Sequence, residues 1–202
     1  MKCIKIGMLL VLGLGSILNA ADAYTFTFLE VPAGTQTNAT GINDLGTIVG
    51  FYFNYPVEHG FALHKGTYTT LDVPGSPLVT SPRGINVKGD IVGAYVVTAG
   101  PNNHGFVFQG SVLATIDFPG AQQTTASGIN GRDEIVGGYV DNNSRAHGFL
   151  REKDHYTAID VPFPGASGTF ANGINDSGEI VGNYRGSNGS LHGFIKKGSA
   201  FR

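Results

Sequence analysis

Four histidines recur in the context His-Gly-Phe, at His59, His104, His147 and His192, and imidazoles gathered around one axis could hold a metal such as Zn²⁺ or Cu²⁺. The competing role is structural, with each ring bonding a neighbouring backbone or the next unit's turn and recurring because the chain recurs. We prefer the structural role, since a tetrahedral site needs N–metal distances of about 2 Å and a ring of equivalent positions holds its side chains further apart. Four acidic residues, Glu30, Asp72, Asp117 and Asp160, precede x-Pro at matching positions. A general acid and a base need environments that separate their pKa values, and these four share one environment. Their expected role is to bond backbone N–H groups in the proline turn. The Asn-Asp-x-Gly turns lack the ligand spacing and terminal Glu of a calcium loop.

No G-x-S-x-G, H-E-x-x-H or Gly-rich phosphate loop entering a helix is present, so no nucleophile and no cofactor is indicated. Binding chemistry is expected instead on the longer, variable connections, because loops carried by a rigid scaffold are where function concentrates. Candidate ligand-binding residues there are Phe53, Tyr55, Glu58, Asn102, Asn103, Asp141, Asn142, Asn143, Arg145, Arg185 and Asn188. Glu58 and Asp141 are the only acids among these loops. Carboxyl groups about 5–10 Å apart would favour a glycoside-hydrolysing enzyme.

The elements that position these residues follow from an internal repeat. Gly-Ile-Asn stands at 41–43, 84–86, 128–130 and 173–175, at spacings of 43, 44 and 45 residues. Ile-Val-Gly at 48–50, 91–93, 135–137 and 180–182 keeps step with it, as do His-Gly-Phe and the L/I-D-x-P landmark. A period of this length signals a propeller or solenoid. These residues resemble the bacterial extracellular HAF repeats, with GINDSGEIVGNY in the fourth copy the nearest match and HGF replacing HAF throughout. The resemblance covers residues 24–202 and implies a secreted bacterial repeat protein, with no particular reaction.

Each unit reads as four short strands. Asn and Gly after Gly-Ile make a tight turn, because both tolerate φ > 0. The Ile-Val-Gly strand is apolar on both faces and should be deeply buried. Its recurrent glycine implies that another backbone or ring packs close to it. No stretch has helical periodicity. The expected fold is all-β, a four-bladed β-propeller closed by a strand over Tyr24 to Glu30 that completes the last unit's sheet, with a β-solenoid as the alternative.

The chain begins with Lys2 and Lys5, an apolar run over residues 6–18 and Ala21-Asp22-Ala23, the pattern of a signal peptide removed after residue 23. The run of 13 residues falls short of the ~20 that cross a bilayer. The only cysteine, Cys3, belongs to that segment, so residues 24–202 are expected to form one secreted domain without disulfides or a membrane span, extracellular or periplasmic. A formal charge of −2 with 14% charged residues offers no basic face for nucleic acid. With 31 glycines and 41% hydrophobic residues, the composition suits short strands joined by many turns. Together these features point to a secreted non-enzymatic binding module for a carbohydrate or protein ligand. The rival readings are a carbohydrate-active enzyme and a structural matrix component.

Overall fold

The structure, a computed structural model, describes residues 25–32, 34–76, 78–97 and 103–202. The expected signal peptide and Tyr24 lie outside the described residues, as does Asn102. Among those described there is no helix, and sixteen strands make four antiparallel meanders. Unit 1 contains β1 (Gln36–Ile42), β2 (Ile48–Asn54), β3 (Val57–His64) and β4 (Thr67–Thr70). Unit 2 contains β5 (Val79–Ile85), β6 (Ile91–Val96), β7 (Asn103–Gln109) and β8 (Val112–Ile116). Unit 3 contains β9 (Gln123–Ile129), β10 (Ile135–Val140), β11 (Ala146–Glu152) and β12 (His155–Ile159). Unit 4 contains β13 (Gly168–Ile174), β14 (Ile180–Arg185), β15 (Leu191–Lys197) and the two-residue β16 (Ala200–Phe201). Units 1 and 2 are joined by one parallel bridge, Glu58 to Val79, so the hydrogen bonds define three sheets.

The turn between the first two strands is built by its asparagine. Asn43 Oδ1 accepts the N–H groups of Leu45 and Thr47, at 3.2 and 3.0 Å, and the same pattern recurs at Asn86, Asn130 and Asn175. The positive φ falls on the later residue, Gly46 (73°) in unit 1 and Asp133 (65°) in unit 3, so asparagine serves here through its side chain rather than through a left-handed backbone. The glycine of the second strand is required by close approach. At Gly93 a Cβ would lie 2.6 Å from the Phe106 ring and inside the Ser81 carbonyl oxygen. The phenylalanine of His-Gly-Phe fills the space so left: Phe61, Phe106, Phe149 and Phe194 are all buried.

The core runs along the seams between units. First strands stack in sequence, β1 on β5, β5 on β9 and β9 on β13. Val49 of unit 1 packs with Ile91, Tyr95 and Phe106 of unit 2, and Val92 and Val136 do the same one unit on. The segment leaving each fourth strand crosses the seam: Val73, Phe118 and Val161 each donate their N–H to a threonine hydroxyl of the next unit, at Thr80, Thr124 and Thr169.

The expected closing strand is not formed. Thr25–Glu30 has no strand structure, and Phe26 and Phe28 are 88% and 92% exposed. Its place is taken by β16, whose Phe201 packs on Phe194 as Tyr68 packs on Phe61 in unit 1. Leu29 and Val31 instead pack on unit 1, beside Phe61 and Leu63. Among the described residues no comparable packing joins β13 to β1, so the series of units is open.

Candidate ligand-binding site

The four histidines do not converge. His59, His104 and His147 each direct Nδ1 to the carboxylate 13 residues on, Asp72, Asp117 and Asp160, at 2.8 Å in all three. Each ring also packs against the tyrosine opposite it, Tyr52, Tyr95 or Tyr139, with centroids 4.9–5.4 Å apart. His192 stacks on Tyr184 and has no carboxylate partner among the described residues. No group of three His, Cys, Asp or Glu side chains among those residues could hold a metal ion. The histidine and aspartate landmarks are therefore each other's partners. The expectation that both would bond backbone groups is corrected by these pairs.

The loop candidates disperse in the same way. Asp141 is spent within its own loop, accepting the N–H groups of Asn143 and Arg145 at 2.9 and 2.8 Å, and those bonds lower its pKa, the Arg145 amide first among them. Its other oxygen is 3.4 Å from His147 Nε2. Glu58 belongs to a different setting, where burial raises its pKa against the opposing pull of the Ser81 hydroxyl and the Arg83 guanidinium. Tyr55 is 87% exposed, Phe53 meets Phe51 edge-on, Asn103 pairs with Val96 on the edge of its strand, and Asn188 accepts the Ser190 N–H. None of these residues, nor Asn142 or Arg145, lines the groove formed between units 2, 3 and 4.

What the structure does form is a groove of about 450 Å³ between units 2, 3 and 4. Its first layer comes from the stacked first strands, with Arg83 on β5, Gln123, Thr125 and Ser127 on β9, and Phe170 and Asn172 on β13. The second strands add Gly138, Asn183 and Arg185, and β15 adds Leu191. Arg185, a loop candidate, is thus the one predicted residue that lines it. The Phe170 ring stands beside Gly138, 3.6 Å from where a Cβ would lie, an ordinary van der Waals contact. The lining carries two arginines and three carboxamides, with no carboxylate. Arg185 Nη1 is steadied by the Gly189 carbonyl at 3.0 Å. A planar fork of donors suits a carboxylate, amides suit hydroxyls, and Phe170 supplies an apolar face.

These residues occupy positions at which the copies differ. Thr40, Arg83, Ser127 and Asn172 are equivalent, as are Phe53, Val96, Val140 and Arg185. The groove is thus marked in the sequence by the variable inward positions of the first two strands rather than by the length of the loops.

No family model matches the chain, and no curated protein matches it. Similar solved structures include a mutant of AofleA from Arthrobotrys oligospora, at 12% identity and TM-score 0.49, over 81% of this chain and 54% of that one. Another is the fucose-specific lectin from Aleuria aurantia, at 13% identity and TM-score 0.47, over 81% and 58%. The chain spans a little over half the length of these neighbours.

Proposed function

We propose that this protein is a secreted, non-enzymatic binding module of the HAF repeat type, built from four propeller-like blades, and that its groove takes an acidic saccharide. The observation that carries this reading is the presence of both Arg83 and Arg185 in a carboxylate-free lining that also holds Gln123, Asn172 and Asn183. The volume falls within the ~300–1,000 Å³ of small-molecule sites. Glu58 and Asp141 have different partners, Glu58 feeling Ser81 and the groove's Arg83 while Asp141 is bonded within its own loop, which favours binding over glycoside hydrolysis.

Calorimetric titration with a uronic-acid oligosaccharide and with its neutral counterpart tests the reading. The acidic ligand should bind and the neutral one should bind at least about tenfold more weakly, because a charge-assisted hydrogen bond contributes ~1.5–3 kcal/mol. Arg83→Ala or Arg185→Ala should remove most of that difference. Equal affinity for both ligands, or no effect of either substitution, would discard the acidic-saccharide assignment.

A further inference from the structure

The three seams inside the chain repeat one set of contacts, and both ends of the series present the unfilled halves of a fourth. The valine of Ile-Val-Gly is fully buried at Val49, Val92 and Val136, each against the following unit, whereas Val181 is 48% exposed. The residue after His-Gly-Phe behaves alike: Ala62, Val107 and Leu150 pack into the next unit's cluster, and Ile195 is 49% exposed. A Cβ on Gly41, Gly84 or Gly128 would meet the backbone of the next unit's Gly-Ile-Asn, while at Gly173 it would meet only Val181 of its own unit. At the opposite end Ile42 is 66% exposed beside a hollow of about 310 Å³ lined by Ala39, Thr40, Gly41, Ile42 and Ile48.

The polar contacts have the same open ends. Asn43, Asn86 and Asn130 each donate Nδ2–H to the carbonyl of the next unit's asparagine, at 3.0, 3.1 and 3.1 Å. Asn175 uses one amide hydrogen on Glu179 and has no following carbonyl, and among the described residues the Asn43 carbonyl accepts only the Gly46 N–H. An apolar face with a donor at one end therefore matches an apolar hollow with an acceptor at the other.

We propose that a second copy of this chain fills the fourth seam head to tail, its unit 1 seated on unit 4 of the first. Val181 and Ile195 then enter the hollow beside Ile42 of the second copy, and Asn175 Nδ2 donates to that copy's Asn43 carbonyl. Glu30 of the second copy takes the position beside His192 that Asp72 holds beside His59. The contact is heterologous, so the two surfaces differ and each copy keeps one of each kind. It uses none of the groove residues and stands independently of the ligand.

Light scattering on the eluting protein over a dilution series reads the outcome. Wild type should associate, and Val181→Asp, Ile195→Lys and Ile42→Asp should each weaken association by at least about tenfold, with circular dichroism unchanged and melting temperature unchanged at dilutions where wild type is monomeric, because all three sites are exposed in the single chain. Mixing Val181→Asp with Ile42→Asp should restore a one-to-one complex, since each retains the surface the other lacks. A wild type that is monomeric at every concentration overturns the proposal. So does association that survives all three substitutions, or a mixture that stays monomeric.

Discussion

In units 1 to 3 a histidine Nδ1, an aspartate and a stacked tyrosine form a small polar bracket that ties the third strand to the segment leaving the unit. At His104 and Asp117 the side chains are 36% and 41% exposed, so this solvent-accessible hydrogen bond contributes, like other exposed polar pairs, ~0–1 kcal/mol. Asp117→Asn should therefore lower stability in urea unfolding by less than about 1 kcal/mol, whereas Phe106→Ala, at a fully buried ring, should cost ~3–5 kcal/mol. An Asp117→Asn loss as large as the phenylalanine's would mean that the bracket is a principal support of the fold. Glu58 predicts a pH dependence of definite sign. Burial raises its folded pKa, so the native protein keeps a proton that the unfolded chain releases, and stability falls as pH rises from the ordinary glutamate value through the raised one. Melting temperatures followed across that window should decline less steeply in Glu58→Gln, and identical slopes would show that Glu58 is not the group responsible. The histidine and aspartate recurrences were legible individually. Their pairing was not, because a fixed spacing of 13 gains meaning only once two antiparallel strands bring its ends together.

The strand order and the tight turns follow from the repeat, and the structure shows them at the positions the landmarks mark; the expected deep burial of the second strand holds for β6, whereas β2, β10 and β14 are buried only in part because their flanks are less completely covered. Two features of the elements were not readable. Threonine hydroxyls at 80, 124 and 169 cap the crossing segments, a long-range contact that no local pattern announces. The stretch expected as the closing strand, Tyr24 to Glu30, has the composition of a fourth strand, yet a strand needs an edge to pair with, and β16 already occupies that edge of unit 4. Position along the series of units also decides how a shared residue type behaves. Val136→Ala should cost on the order of 2 kcal/mol, because the side chain is sealed between units 3 and 4. Val181→Ala, at the same repeat position with an open flank, should stay within ~0.5 kcal/mol in the monomer. Equal losses measured by denaturant unfolding would contradict the seam description.

For the molecule as a whole, stacking four units brings variable strand positions from three of them to one groove, while the landmark residues that recur are consumed in holding the stack together. This explains why the candidate site was largely hidden in the sequence: Arg83, Gln123, Asn172 and Asn183 come from three units, and each stands at a position whose residue type is not kept from copy to copy. A formal charge of −2 likewise conceals a groove lined by two arginines and no carboxylate. The most direct test is a map of amide chemical-shift changes on titrating the protein with an acidic oligosaccharide. The largest changes should fall on the backbone amides of Arg83, Gln123, Asn172 and Asn183 and on the side-chain amides of the last three. Changes confined to the connections at 53–58 and 141–146, with those four residues unmoved, would contradict the assignment of the groove as the binding site.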